Sequence, residues 1–175
     1  MRRVNVFGSS GSGKTTVASV LARRLGVPFV EIDQLFWSVH PNWREPTNDE
    51  FRARVEQATR GDAWVVDGSY SRVRDIVWSR ADTVVWLDLP FPGRLWRVVA
   101  RSVRRSLTGE TLWGTQKESL RASLLSRDSL ILFMLRTERG RARLYGEWLA
   151  RPEYAHLALV RLRSQSEIDR WLARV

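Results

Sequence analysis

Eight consecutive residues, Gly8-Ser9-Ser10-Gly11-Ser12-Gly13-Lys14-Thr15, fit G-x-x-x-x-G-K-T without a mismatch. They follow the extended apolar run Val4-Asn5-Val6-Phe7 and precede a helical pattern of Val17, Val20, Leu21 and Leu25 that closes at Gly26. That context separates a phosphate loop from a chance match. Glycines let successive N–H groups turn inward around an anion, and the following helix points its positive end at the same place. Gly8, Ser9, Ser10, Gly11, Ser12, Gly13, Lys14, Thr15 and Thr16 are therefore expected to hold a nucleoside triphosphate. Lys14 would reach the β- and γ-phosphates and the Thr15 hydroxyl would ligate Mg²⁺. The only other lysine in the chain is Lys117, because arginine carries nearly all its positive charge.

Further along, short apolar runs alternate with helical patterns. Strands are predicted over 28–32, ending at Asp33, and over 63–66, running into Asp67-Gly68. Two more are predicted over 83–87 and 155–162. Thr47-Asn48-Asp49-Glu50 spells a capping box that opens a helix carrying Phe51, Val55 and Ala58. Helices are also predicted over 91–106 and 117–150, with a looser stretch at 108–114 and a short terminal helix opened by Ser166-Glu167. This order implies an α/β fold: a five-stranded parallel sheet with helices on both faces. In such sheets ligands sit beyond the carboxyl ends of the strands. Gly8 to Thr15, Asp33, Asp67 to Arg72, Asp88 and Arg163 to Ser164 should therefore gather at one edge.

The residue types at that edge suggest roles. Asp67, after Trp64-Val65-Val66, is placed as a Walker B carboxylate near phosphate-bound Mg²⁺, as an alternative to capping a turn. Asp33 would take a proton from an attacking hydroxyl or bind a substrate hydroxyl, unless it merely starts the next turn. Trp37, Trp43 and Tyr70 are candidates to stack a planar group, although large aromatics commonly pack the core. Arg72 is suited to a bidentate grip on a phosphate or carboxylate. Arg94, Arg97, Arg101, Arg104 and Arg105 recur at helical spacing opposite Leu95, Val98, Val99 and Val103. That basic face leads to a segment bearing Arg121 and Arg127, where a flexible flap would close arginines over phosphates; Arg127 is the catalytic candidate there. His40 and His156 form no metal cluster with other ligands.

Size and charge bound the partners. At 175 residues the chain suits one domain with a mobile insertion. The absence of cysteine excludes disulfides and thiolate metal sites. A first strand so close to Met1 leaves no room for a signal peptide, and no apolar run reaches membrane length, so a cytoplasmic protein is expected. The formal charge of +10 admits a nucleic-acid partner, but no binding motif accompanies it, and a cleft for several phosphates needs basic residues anyway.

These landmarks resemble the adenylate-kinase-like P-loop kinases, and within them the small bacterial proteins described as DNA topology modulation (FlaR-like) proteins. The resemblance rests on residues 8–15, Glu31-Ile32-Asp33 with Leu35-Phe36-Trp37, Val66-Asp67-Gly68-Ser69-Tyr70-Ser71-Arg72, Leu95-Trp96-Arg97 with the following arginines, and Leu162-Arg163-Ser164. It implies a single P-loop NTPase domain over 1–175, with an acceptor region near 33–72 and a helical lid near 106–128. ATP and Mg²⁺ would be used to phosphorylate a small molecule. Asp33 resembles the acceptor-side Asp of shikimate-kinase-like enzymes. Arg101 and Arg105 resemble lid-hinge arginines that contact the donor nucleotide. Arg72 sits one residue later than the phosphate-binding Arg of adenylate kinases, and Ser69-Tyr70-Ser71 departs from their pattern. The alternative is a nucleotide-dependent DNA-associated protein with at most slow ATPase activity.

Overall fold

The strands expected from the sequence are almost continuously apolar, which suits a sheet buried on both faces. The computed structural model describes residues 1–37, 44–108, 111–112, 116–117 and 130–175. In it β1 (Arg3–Gly8), β2 (Phe29–Glu31), β3 (Trp64–Asp67), β4 (Thr83–Leu87) and β7 (Ala158–Leu162) form a parallel sheet in the order β2-β3-β1-β4-β7. A short antiparallel pair, β5 (Thr111–Leu112) with β6 (Gln116–Lys117), stands apart from it.

Strand alternation sorts the core into two layers. Val4, Val6, Val65, Val85 and Leu87 point to one face, where α1 (Lys14–Leu25) contributes Val17 and Leu21 and α7 (Gln165–Arg174) contributes Ile168. Phe7, Trp64, Val66, Val84 and Trp86 point to the other. There they meet Phe36 of α2 (Ile32–Trp37), Phe51 of α3 (Asn48–Ala58), Trp78 of α4 (Arg74–Arg80) and Tyr145 of α6 (Leu130–Leu149). Helices thus cover both faces. The second layer is aromatic, and Phe7 sits at its centre, edge to face with Trp78 at 5.4 Å and Tyr145 at 5.3 Å and stacked on Trp86 at 6.0 Å. Asn5 is the polar exception in β1. Its amide donates to the carbonyls of Val66 and Gly68, and its oxygen accepts from the Trp78 indole at 2.7 Å. Those bonds pin the end of β3 against α4.

Several elements differ from the sequence-based expectation. The chain turns helical at Ile32, so Asp33 lies in the first turn of α2 instead of ending β2. Nothing in 28–33 breaks a helix after the proline, and Phe36 needs a helical turn to reach the aromatic layer. The box at Thr47 forms as expected, with Glu50 N–H donating to the Thr47 hydroxyl and Thr47 N–H to the Glu50 carboxylate. Helix α5 (Phe91–Thr108) runs two residues past the expected end. Lys117, expected to open a helix, lies in β6, residues 118–129 fall outside the described residues, and α6 covers Leu130–Leu149. β7 starts at Ala158 because 152–154 form a tight 3-10 turn. Ser164, not Ser166, caps α7, accepting from Glu167 N–H.

Candidate functional site

The phosphate loop joins β1 to α1 at the carboxyl edge of the sheet. Gly13 adopts a left-handed conformation (φ 85°) as the N-cap of α1, and no side chain caps that terminus. Its first N–H groups are left to an external acceptor. At Gly11 (φ 75°) the requirement for glycine is steric as well: a Cβ would lie 2.3 Å from the Arg94 carbonyl oxygen of α5. The loop therefore presses directly on α5. Ser12 Oγ is buried without a partner, the state expected of a hydroxyl awaiting a polar ligand.

β3 brings a carboxylate to the foot of this loop. Asp67 is 2% exposed, and its Oδ2 accepts from Thr15 Oγ1 at 2.5 Å while Oδ1 is buried without a partner. Burial pushes its pKa above the ordinary carboxylate value; Lys14 and the Thr15 bond pull it down, and Asp33 pushes it up. Lys14, Thr15, Asp67 and Asp33 therefore share one electrostatic neighbourhood. A hard divalent cation fits this donor set, because it would give the orphaned Oδ1 a counter-charge. Thr15 and Asp67 are the residues that would hold it.

Beside α2, Tyr70 donates to Asp33 Oδ1 at 2.7 Å and is itself hydrogen-bonded by Trp37. Its ring is packed, with Phe36 at 5.1 Å and Phe51 at 5.4 Å between centroids. Trp37 is half-buried and stands edge-on to Phe36. Arg72 lies over Phe36 and Phe51, donates Nε to Asn48 Oδ1 at 3.1 Å and pairs with Glu45 at 3.3 Å. The structure thus brings Asp33, Trp37, Tyr70 and Arg72 together, with the tyrosine ring in the packing and its hydroxyl in the polar network.

Across the phosphate loop an open groove of about 250 Å³ is lined by Leu89, Pro90, Gly93, Arg97, Arg163 and Gln165. Arg97 reaches Gln165 at 3.1 Å. Sequence reasoning counted Arg97 only as part of a stripe and missed Gln165 altogether; the placement of both at one groove depends on β4 and β7 being neighbours. The stripe itself divides. Arg94 is 4% exposed, donates to the Leu89 carbonyl and pairs with Glu138 of α6 at 2.5 Å, so it is not on a solvated face. Arg97, Arg101 and Arg104 are exposed, Arg105 is half-buried, and Val103, expected to pack inward, is exposed. Asp88 is held by Arg161 at 2.6 Å, and His156 Nε2 lies 3.1 Å from the Trp78 carbonyl. Trp43, His40, Arg121 and Arg127 lie outside the described residues, as does most of the stretch expected as a lid. Among the described residues no cluster of three or more metal-ligating side chains occurs, and no helix is long and apolar enough to cross a membrane.

Searches for similar proteins converge on one fold. Whole-chain likeness extends to the shikimate kinase of Bacteroides thetaiotaomicron (TM-score 0.58, 15% identity, 99% of this chain and 95% of that one). It extends equally to the Acinetobacter baumannii shikimate kinase in complex with shikimate (0.58, 19%, 99% and 90%). A sugar kinase from Janibacter sp. HTCC2649 follows at 0.53, with 18% identity over 99% and 93%. The chain has a P-loop kinase fold. The family model for shikimate kinase matches residues 10–61, from the phosphate loop through α3 of this kinase-like chain. In sequence, the uncharacterized protein YqaC of Bacillus subtilis (strain 168) is 26% identical over 149 residues, covering 85% of this chain and 83% of YqaC.

Proposed function

We propose that the protein is an ATP-dependent phosphotransferase whose acceptor is a hydroxyl group of a small molecule. The observation that carries this reading is the position of Asp33, two residues past Glu31, which pairs with Asp67 across neighbouring strands, beside the Thr15–Asp67 bond at the foot of the phosphate loop. The phosphate loop and Lys14 would hold the triphosphate, with the base in the Arg97–Gln165 groove. Mg²⁺ held at Thr15 and Asp67 would neutralise charge on the β- and γ-phosphates. Asp33 would take the proton from the acceptor hydroxyl as its oxygen bonds to the γ-phosphorus; the bond to the bridging oxygen breaks, and that electron pair leaves with ADP. Charge developing on the transferred group would be met by Lys14 and by arginines of α5 and the lid region, Arg101, Arg105 and Arg127 among them. The acceptor region would span 33–72 and the lid 106–128 of a single domain.

Arg72 favours a hydroxyl over a nucleotide phosphate as acceptor, since its guanidinium already serves Asn48 and Glu45. The test is a panel of shikimate, sugars, nucleosides and nucleoside monophosphates with ATP·Mg²⁺, scored for ADP and phosphorylated product. With the productive acceptor, Asp33→Asn is expected to lower kcat by about 10²–10⁴-fold, the usual worth of a positioned base. Arg72→Ala should cost much less. The opposite order would transfer the assignment to a phosphate acceptor, which is already ionised and needs no base.

A second reading follows from α5. The helix contains no Asp or Glu, and its exposed Arg97, Arg101 and Arg104 suit a phosphate backbone. That reading predicts duplex-DNA binding that weakens steeply with salt, with a log–log slope of about −0.9 per phosphate contacted. No binding at low salt removes it.

A further inference from the structure

The polar network on the acceptor side has a direction that the kinase reading alone does not supply. Trp37 donates to the Tyr70 hydroxyl, and Tyr70 donates its only proton to Asp33 Oδ1. Asp33 Oδ2 has no part in that chain. The hydroxyl cannot swing away, because Phe36 and Phe51 enclose the ring, and the backbone that carries it is fixed from below. At Gly68 (φ 125°) that backbone passes so close to α2 that a Cβ would lie 3.1 Å from Ile32 Cβ, and the Gly68 carbonyl is held by Asn5. Ile32 is the residue before Asp33. One loop after β3 therefore sets both the metal-side carboxylate, Asp67, and the group that aims Asp33.

Resting on the phosphotransferase reading, we infer that Tyr70 is a positioning residue: it anchors Oδ1 of Asp33 so that Oδ2 alone faces the acceptor hydroxyl. Burial and the neighbouring carboxylate push the Tyr70 pKa far up, so the phenol remains a donor at every working pH. The donated proton occupies one carboxylate oxygen and leaves the other to accept. Tyr70 thus touches no reacting atom. It acts through Asp33.

The test is a double-mutant cycle of Tyr70→Phe, which keeps the ring in its packing, and Asp33→Asn. ADP release is followed with ATP·Mg²⁺ alone, where water is the acceptor, and again with each hydroxyl compound of the panel. Tyr70→Phe is expected to lower kcat by about 10- to 100-fold, the range typical for loss of an orienting outer partner, with KM for ATP unchanged. In the Asp33→Asn background the same change should cost nothing further, which a merely structural tyrosine would not produce. A full loss from Asp33→Asn beside an undiminished Tyr70→Phe enzyme overturns the inference and leaves the base reading standing. An undiminished Asp33→Asn enzyme sinks the base reading itself. Crystals of Tyr70→Phe supply a readout that needs no turnover: the Asp33 carboxylate should leave its present rotamer, and an unmoved carboxylate would refute the positioning role.

Discussion

The two sides of the cleft are built from different materials. On the proposed donor side the groups on offer are main-chain amides, and the side chains that matter are mostly the ones glycine lacks. Gly11 and Gly13 hold backbone conformations that let the loop face an anion and pack against α5. On the acceptor side the groups are side chains from α2, α3 and the loop after β3, tied together by the Tyr70–Asp33 bond and by Arg72 lying across Phe36 and Phe51. A backbone site serves any polyphosphate with the same geometry. A side-chain site can be retuned one residue at a time, so the proposed function would draw its specificity there.

The sharpest break in that contrast would come from Lys14, the cation that the phosphate loop itself would supply through a side chain. Lys14→Ala is expected to lower kcat by at least about 10²-fold, as for other groups that meet developing transition-state charge, while circular dichroism shows the fold intact. Phosphoryl transfer at the original rate would remove the donor assignment. Next is Gly11→Ala. A Cβ 2.3 Å from the Arg94 carbonyl oxygen forces the loop or α5 to move, and the left-handed conformation adds strain of about 1–3 kcal/mol. ATP affinity by calorimetry should fall along with thermal stability. Matching affinity in the variant would mean that the loop does not grip through its backbone.

Asp67 separates binding from folding. Its pKa in the folded protein lies above the unfolded value, chiefly through burial. The ionised group therefore opposes folding at neutral pH, and the penalty disappears as pH falls below the folded pKa. Asp67→Asn should accordingly melt a few degrees higher in the absence of ligand and lose the Mg²⁺ dependence of ATP binding. A lower melting point with Mg²⁺ dependence intact would argue for a structural carboxylate. The smallest effect is expected at Asp75, whose carboxylate Arg52 holds below the ordinary range by a bond of 2.7 Å. Because its folded pKa is depressed, its contribution is present at neutral pH and lost on acidification. Both partners are partly exposed, so Asp75→Asn should cost under about 1 kcal/mol in denaturant unfolding.

The phosphate loop, its flanking strand and helix, the capping box at Thr47 and the parallel sheet were legible in the sequence, since each is written in neighbouring residues whose local conformations agree with the final fold. Asp33 and Asp67 were findable for the same reason: both lie where an apolar run stops. The hidden parts depend on contacts between distant segments. Nothing near Arg94 shows that Glu138, on another helix, will bury it, and nothing near Tyr70 shows that its ring will enter an aromatic layer while its hydroxyl finds Asp33. Arg97 and Gln165 share a groove only because β7 joins the sheet beside β4.

By itself, then, the sequence determined a glycine-shaped loop with the phosphate-loop motif at the edge of a parallel sheet, because glycine placement and apolar periodicity act over a few residues. The tertiary structure alone decided the polar network around Asp33, because joining that carboxylate to Tyr70 requires strand order, the packing of α2 against the β3 loop, and a half-buried tyrosine brought from 37 residues away.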